Sequence, residues 1–296
     1  MRKKKLFFLL LLPFTGFAQQ FDSLHINFAD PSFSKQRLVY QKPKTFSFIT
    51  NIPKDVAGFS GQSFKRKNFS NLALVVGSTA LLLLTDQAIN NTVHDVLDDH
   101  RVISTERFSP FFQFKIGGKK TNFGKIPKNI NTAFYDLGQG SSAMFMAAGF
   151  FLVGKIKKDN RALQTASQLT EAFIALGLGT QVMKYVTGRE NPSDATTRGG
   201  RWRPFPKWND FQNNKTKYDA FPSGHLATFV SAVTIISHNY PEKRWIGPLG
   251  YSIAGLCGLA MINNGVHWAS DFPLGFALGY GFGKFISKRS HFTIIP

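Results

Sequence analysis

Stretches with few or no charged residues follow one another from residue 69 onward, separated by short basic or polar segments. A helix that crosses a membrane needs about 20 residues, and most of these stretches approach or exceed that length. They are, in order, Phe69–Thr85, Leu137–Gly154, Thr165–Val186, Phe221–Pro241, Ile246–Ser270 and Phe272–Gly283. The last three are rich in small residues, as helix interfaces in membranes are. The pattern predicts an all-α fold, a bundle of six helices embedded in a membrane.

Basic residues mark the joints on one side of the predicted bundle. Such joints are Lys155–Arg161, Glu242–Arg244 and Lys284–Arg289, and positively charged loops prefer the cytoplasmic side of a membrane. The loops 187–220 and 264–271 then face outward. The number of true spans stays open. With a cleaved signal peptide, a spanning Phe69–Thr85 would leave the polar region after it in the cytoplasm. The second stretch, Leu137–Gly154, has to start on the outer side.

The first 18 residues have the features of a secretory signal peptide. A basic start, Arg2–Lys5, precedes the apolar run Leu6–Phe17, and Ala18 lies at a suitable cleavage point. An uncleaved anchor is the alternative. In both cases the chain is exported, so we expect it in the bacterial cell envelope, at the inner membrane, with its active site facing the periplasm.

Three further regions follow the signal peptide. Residues 19–68 are polar and show no sustained period, which predicts an irregular N-terminal arm. Residues 69–136 combine one helix with a polar connecting region, and residues 137–288 form the core. The one cysteine, Cys257, excludes an intrachain disulfide, and its apolar surroundings indicate a packing role.

The charge of the chain narrows the choice of partners. It carries 36 lysines and arginines against 17 acidic residues, a net charge of +19. Such an excess favours anionic lipid head groups or a phosphorylated substrate. Nucleic acid fits less well, because the basic residues are scattered through loops and no recognition motif for a groove or a single strand is present. We therefore expect a membrane and no nucleic acid as partners, and the sequence leaves the oligomeric state open.

One segment resembles a metal site but has a simpler interpretation. His94 and Asp98 lie four residues apart, so they share a face of a helix. The acidic residues and histidines of 94–100 are nevertheless spread around the helix, and Val96 and Leu97 suit an inward face. A solvated amphipathic turn explains the segment, and we expect neither a metal nor another cofactor.

The first chemically informative cluster opens the fourth predicted helix. Residues 222–225 read PSGH, and such a sequence ahead of an apolar helix leaves backbone N–H groups free to bind an anion. Ser223 can cap the helix and also donate to a phosphate oxygen. His225 lies in the first turn, where it can give a proton to a leaving oxygen near neutral pH.

Two further clusters lie at helix ends on the same side. His267 and Asp271 are four residues apart, so the carboxylate can hold one ring nitrogen of the histidine and leave the other free. A histidine fixed in this way is a competent nucleophile toward phosphorus. Lys184 and Arg189, at the end of the third predicted helix, supply positive charge for phosphoryl oxygens.

Together these clusters resemble the signatures of the type 2 phosphatidic acid phosphatase and vanadium haloperoxidase superfamily. Residues 222–225 match the second signature, His267 and Asp271 match the end of the third, and the segment 184–192 is similar to the first. The order of the signatures and their placement on helices also agree. The resemblance covers residues 137–288 and implies a helical bundle with the site at one end.

The resemblance also implies a role for each residue. His267 would be the nucleophile, Asp271 its orienting partner and His225 the general acid. The side chains and backbone expected to bind phosphate are those of Lys184, Arg189, Ser223 and Gly224.

Two positions depart from the family pattern. Asn191 stands where the first signature has an arginine, and Met261 stands where the third has one. Losing one charged donor of this kind costs about 3 kcal/mol of transition-state stabilisation. Residues 198–204, which read RGGRWRP, form a basic loop. Its Arg201 and Arg203, together with the amide of Asn191, are candidates to replace the lost arginines. A solvated basic surface is the alternative for that loop.

The sequence therefore predicts a phosphatase that hydrolyses a phosphomonoester or a diphosphate on a lipid, without a metal, through a phosphohistidine. A catalytically weakened relative that binds anionic lipid is the alternative that Asn191 and Met261 suggest. A vanadate-dependent haloperoxidase is disfavoured, because binding of vanadate in this superfamily also depends on the missing arginines.

Overall fold

The computed structural model describes residues 37–102, 104, 108–116, 119–289 and 291–294. The predicted signal peptide lies outside these residues.

The described residues form ten α-helices and four strands. The helices are α1 (Ser47–Thr50), α2 (Ile52–Ser63), α3 (Phe69–Asp99), α4 (Ile130–Gly138), α5 (Gly140–Lys157), α6 (Asn160–Thr187), α7 (Trp208–Asn213), α8 (Gly224–Asn239), α9 (Ile246–Asn263) and α10 (Phe272–Arg289). The strands are β1 (Arg37–Tyr40), β2 (Phe108–Ile116), β3 (Lys119–Pro127) and β4 (His291–Ile294). The predicted helical class is confirmed, but the helix count exceeds six and two small antiparallel sheets are added.

The described part of the N-terminal arm contains regular structure. β1 pairs antiparallel with β4, which lies near the other end of the chain. α2 has Pro53 in its first turn, where a fixed φ and a missing N–H suit the start of a helix. Tyr40 donates its hydroxyl to a backbone oxygen at the end of α8. The expectation of an irregular arm over 19–68 is therefore wrong for its described part, because pairing with a distant strand leaves no local period in the sequence.

α3 is longer than the apolar stretch that predicts it. The stretch Phe69–Thr85 is followed by Asp86, yet the helix continues to Asp99. The carboxylate of Asp86 does not end the helix, because it is buried at 1% exposure and paired with a guanidinium. A charge that has a buried partner does not require solvent.

The region between α3 and α4 is not a plain polar connection. β2 and β3 form an antiparallel hairpin there. His94 and Asp98, the pair considered for a metal, lie in the last turns of α3. Within the described ranges, no group of three or more histidine, cysteine or acidic side chains is placed to hold a metal ion.

α8 lies at the centre of the bundle and packs against α6, α9 and α10. Glycines of α10 allow the backbones of α8 and α10 to touch. At Gly279 a Cβ atom would lie 2.3 Å from the backbone oxygen of Ala227, and at Gly275 a Cβ atom would lie 2.6 Å from that of Ser223. Small residues permit this close approach in membrane helix pairs as well.

Two helical segments of the described chain are long and apolar enough to cross a membrane, Arg66–Asp99 and Ile246–Asn263. α4 and α5 together qualify as a third, with a bend of 69° between them. The apolar window of α3 is only 11% buried within the protein, whereas that of α9 is 56% buried. α3 therefore presents most of its apolar surface outward, as a helix in contact with lipid does.

Candidate functional site

Four helix ends meet at one end of the bundle: the C-terminal ends of α6 and α9 and the N-terminal ends of α8 and α10. α6 stops at Gly188, whose φ of 56° lies in the left-handed region. The N–H of Gly188 donates to the carbonyl of Lys184 at 2.8 Å. A Cβ atom at Gly188 would lie 1.8 Å from the backbone oxygen of Arg203, so only glycine fits this turn. The turn leaves Lys184 at the mouth of the site.

The start of α8 has the form of an anion-binding helix end. Oγ of Ser223 accepts from the N–H of Leu226 at 3.3 Å, and the N–H of Ser223 donates to the carbonyl of Asp271 at 3.1 Å. At Gly224 a Cβ atom would lie 2.9 Å from Oγ1 of Thr180, so the glycine allows α8 to approach α6. The first backbone N–H groups of a helix have no partner within it and can bind an anion.

The two predicted histidines face each other across the site. Nδ1 of His225 lies 3.3 Å from Nε2 of His267. Nδ1 of His267 lies 2.7 Å from the backbone oxygen of Ala220. A carbonyl oxygen only accepts, so Nδ1 of His267 carries the proton and Nε2 presents its lone pair toward His225.

The imidazole of His267 is held in its neutral form. Its side chain is fully buried. Burial, together with the positive charge of Lys184, lowers the pKa of His267 from its ordinary value of 6.5 to about 3. A neutral ring with one free nitrogen is the nucleophilic form of histidine.

Asp271 lies beside His267 but is shared among several donors. Its Oδ2 is 3.4 Å from Nδ1 of His267. The same oxygen accepts from the N–H of Trp268 at 2.7 Å, while Oδ1 accepts from Nη1 of Arg189 at 2.5 Å. The carbonyl of Ala220 is therefore the closer partner of the imidazole. Burial raises the pKa of Asp271 from 3.8 to about 6, against the opposing effect of the Arg189 charge.

The guanidinium of Arg189 is held mainly by other groups of the protein. Its guanidinium is fully buried between two carboxylates: Nη2 lies 2.6 Å from Asp86, and Nη1 lies 2.5 Å from Asp271. Nη2 also donates to the carbonyl of Gly199 at 2.8 Å. Two indole rings lie against the guanidinium, those of Trp202 and Trp268. Both Nη groups are thus engaged within the protein, whereas Nε is buried without a hydrogen-bond partner among the described residues. Nε is therefore the donor of Arg189 left for a phosphate, and the predicted role stays a prediction.

Lys184 keeps donors that a phosphate can use. Its side chain is buried, and its charge acts on His267. Nζ lies 3.9 Å from Oδ2 of Asp219, which is longer than a hydrogen bond. The ammonium group therefore has hydrogen atoms to offer to another acceptor, and the phosphate-binding role of Lys184 stays a prediction.

The two positions that depart from the family pattern are both buried. The sulfur of Met261 lies 3.7 Å from Oγ of Ser223. Its methyl group packs on Gly138, where a Cβ atom would lie 2.5 Å from Cε of Met261. Asn191 is 3% exposed, and its Oδ1 has no hydrogen-bond partner among the described residues. A thioether and an amide thus stand in place of two charged groups.

The basic loop offers less compensation than predicted. Nη1 of Arg203 donates to Oε1 of Glu190 at 2.5 Å. Burial alone would raise the pKa of Glu190, but hydrogen bonds from the backbone of Thr196 and Arg201 and from the Arg203 guanidinium lower it to about 2. Arg203 is therefore committed to Glu190. The side chain of Arg201 is exposed, as the surface alternative for the loop expects.

The sequence did not predict three groups of the site: Asp86, Asp219 and the carbonyl of Ala220. Asp86 did leave a signal, since it is a single acidic residue directly after a long apolar stretch. Asp219 lies in a polar loop where acidic residues are ordinary. A backbone carbonyl leaves no signal in the sequence at all.

Comparison with known proteins agrees with this arrangement. A family model described as the PAP2 superfamily matches residues 165–294, which hold all the predicted site residues. A lipid A 1-phosphatase of Porphyromonas gingivalis is 36% identical over 70 residues, which are 23% of this chain and 16% of that relative. The similarity thus spans a small part of the relative. No solved structure matches significantly. Residues 165–294, a little under half of the chain, are thus similar to the PAP2 superfamily.

Proposed function

We propose that the protein hydrolyses a phosphomonoester or a diphosphate on a lipid, without a metal, through a phosphohistidine on His267. The observation that carries this proposal is the tautomer of His267. Its Nδ1 is bonded to the carbonyl of Ala220, so Nε2 has a free lone pair, and His225 lies on that side. A buried, neutral and oriented imidazole next to a second histidine suits nucleophilic attack with proton transfer.

The reaction has two steps. Nε2 of His267 attacks phosphorus, the N–P bond forms, and the P–O bond to the lipid breaks on the opposite side of phosphorus. His225, protonated on both ring nitrogens when the substrate is bound, gives one proton to the departing oxygen and becomes neutral. A water molecule then attacks the phosphohistidine, the N–P bond breaks, and the proton of the water returns to His225. Phosphate leaves, and both histidines are restored.

The resting contact between the histidines must open for this reaction. The 3.3 Å between Nδ1 of His225 and Nε2 of His267 is too short to hold a phosphorus atom. His225 therefore turns away from His267 when substrate binds. In the resting state the Nδ1–H of His225 donates to the lone pair of His267. Uptake of a second proton, favoured by the negative charge of the substrate, makes His225 an imidazolium that can protonate the leaving group.

Few groups of the site can stabilise the negative charge of the phosphoryl group. In the described part of the chain, Lys184, the unpartnered Nε–H of Arg189 and the N–H groups at the start of α8 are the candidate donors, and Met261 and Asn191 provide no positive charge. Cationic side chains can stabilise phosphoryl transfer in place of a metal, so the proposed reaction uses none. With two arginines replaced, we expect slow turnover.

A lipid substrate is supported by the surroundings of the site. The largely unburied apolar surface of α3 supports a membrane location, and the relative in Porphyromonas gingivalis is named for action on a lipid phosphate. The basic joints favour a cytoplasmic position for the other end of the bundle. The proposed location is the inner membrane of a bacterial envelope, with the site facing the periplasm.

Phosphate release from a panel of lipid phosphates and diphosphates, by the detergent-solubilised protein with EDTA present, tests the proposal. We expect release that His267→Ala abolishes while its thermal unfolding stays close to wild type. Phosphate release that persists in His267→Ala would refute the phosphohistidine. Absence of release by a folded wild-type protein would favour the weakened, anionic-lipid-binding relative instead.

A further inference from the structure

Asp86 belongs to α3, outside the segment 165–294 that matches the family, yet its carboxylate lies against the candidate site. We propose that Asp86 is a positioning residue for His267, acting through Arg189 and Asp271, so that α3 is part of the catalytic unit. This inference rests on the proposed function.

The contacts form one continuous chain. Oδ2 of Asp86 lies 2.6 Å from Nη2 of Arg189, and Nη1 of Arg189 lies 2.5 Å from Oδ1 of Asp271. The second oxygen of Asp271 is 3.4 Å from Nδ1 of His267. The side chains of all four residues are almost completely buried, so water does not compete for these bonds.

A second set of contacts ties Asp86 to the turn that carries Asp271. Oδ1 of Asp86 accepts from the N–H of Ser270 at 2.9 Å, and Oδ2 accepts from the hydroxyl of Ser270 at 2.5 Å. The hydroxyl of Ser270 in turn lies 2.7 Å from Nη1 of Arg189. Asp86 therefore fixes the guanidinium and the neighbouring backbone at the same time.

The charge balance shows what Asp86 does for Asp271. With both carboxylates present, Arg189 divides its two Nη groups between them, and Asp271 keeps Oδ2 for the N–H of Trp268 and for His267. Without the carboxylate of Asp86, Nη2 would lose its charged partner and Arg189 would bind Asp271 more fully. Asp271 would then be a stronger acid and a poorer partner for the imidazole.

The competing interpretation is that Asp86 only anchors α3 to the bundle. Loss of an anchor lowers the amount of folded protein but leaves each folded molecule unchanged. Loss of a positioning residue changes the rate constant and its dependence on pH. These two outcomes can be separated.

The variant Asp86→Asn is the direct test, with Asp86→Glu as the conservative change. Asp95→Asn is the matched control, because Asp95 is an exposed acidic residue of the same helix. Rates are normalised to folded protein, measured by thermal unfolding and far-UV circular dichroism. We expect kcat of Asp86→Asn to fall about 10- to 100-fold, as for other residues that orient a reacting group, with KM within about twofold. Asp86→Glu should recover part of kcat, and Asp95→Asn should match wild type.

The pH profile is the second measurement. For wild type we expect the rate to fall as the pH drops through about 6, because Asp271 has a raised pKa of about 6 and its protonation removes the negative charge 3.4 Å from the imidazole. Removing the negative charge of Asp86 and freeing Arg189 both favour the ionised form of Asp271. The acid limb of Asp86→Asn should therefore lie at lower pH than that of wild type. An unchanged limb with an unchanged kcat per folded molecule would overturn the inference.

A measurement without turnover separates this inference from the proposed function. Nitrogen-15 spectra of histidine-labelled protein report the tautomer and titration of His267 directly. The His267 signals should change in Asp86→Asn and stay constant in Asp95→Asn. If wild type releases no phosphate and the signals still change, the proposed function fails and the coupling stands. If the signals are identical in all three proteins, or Asp86→Glu also fails to fold, the positioning role is refuted.

Discussion

The described part of the bundle holds two buried arginine clusters, one at each end, and only one of them reaches the candidate site. Arg189 and Arg289 each lie between two carboxylates. The carboxylates are those of Asp86 and Asp271 at the site, and those of Asp55 and Glu171 at the opposite end. About 27 Å of α10 separates the two ends.

The clusters differ in how their carboxylates are used. Glu171 directs both of its oxygens to Arg289, at 3.4 and 2.9 Å. Asp271 gives one oxygen to Arg189 and keeps the other near His267. A carboxylate with both oxygens on one arginine only joins helices, here α6 and α10. A divided carboxylate also fixes the position of a third group.

The largest effect is expected from removing the arginine at the site. Arg189→Met leaves two buried carboxylates without a cationic partner, which costs about 4 kcal/mol of unfolding free energy. Phosphate release per folded molecule should fall by at least about 100-fold, since Asp271 loses its orientation. Thermal unfolding and normalised kcat measure the two effects. Arg198→Met, at an exposed arginine of the same loop, is the control.

The arginine at the opposite end should affect stability alone. Arg289 has 29% of its side chain exposed, so Arg289→Met is expected to cost about 2 kcal/mol. Because no contact among the described residues continues from Glu171 or Asp55 to the histidines, kcat per folded molecule should stay within about twofold. A loss of kcat like that of Arg189→Met would break the distinction between the two clusters.

Removal of a third arginine is expected to have the smallest effect on stability and activity. Arg203 contacts one carboxylate, Glu190, and 29% of its side chain is exposed. Glu190 keeps hydrogen bonds from Thr196 and from the backbone of Arg201 when Arg203 is removed. Arg203→Ala should cost about 1 kcal/mol and leave KM unchanged. KM for a lipid phosphate is measured for Arg203→Ala and, beside it, for Arg201→Ala. A raised KM would support the prediction that the basic loop replaces the missing phosphate-binding arginines.

The same comparison explains what the sequence could predict. Histidines at 225 and 267 and the acid at 271 follow short local patterns at helix ends, and the structure brings them together. Arg189 has a partner 103 positions away in Asp86, and no local period reports such a contact. The sequence therefore indicates a cation near the site but not that two carboxylates already hold it.

The helices were predicted more reliably than the extended segments for a related reason. Apolar stretches of 12 to 25 residues identify α5, α6 and α8 to α10, with ends that differ by up to seven residues, because a helix makes its hydrogen bonds locally. β1 takes its partner from the far end of the chain. The sequence analysis ends the apolar helix before Asp86, whereas α3 continues to Asp99. An acidic residue after an apolar stretch predicts exposure to solvent, and its buried partner cannot be identified from the local sequence.

The continuation of α3 past Asp86 also determines where along the membrane normal the reaction would take place. The apolar part, Phe69–Thr85, spans about 26 Å of helix, close to the hydrocarbon thickness of a bilayer of about 30 Å. Under the proposed function, Asp86 and the histidines would lie at the depth of lipid head groups. A lipid phosphate would then be cleaved there while its acyl chains stay among their neighbours, and the dephosphorylated lipid would leave by lateral diffusion.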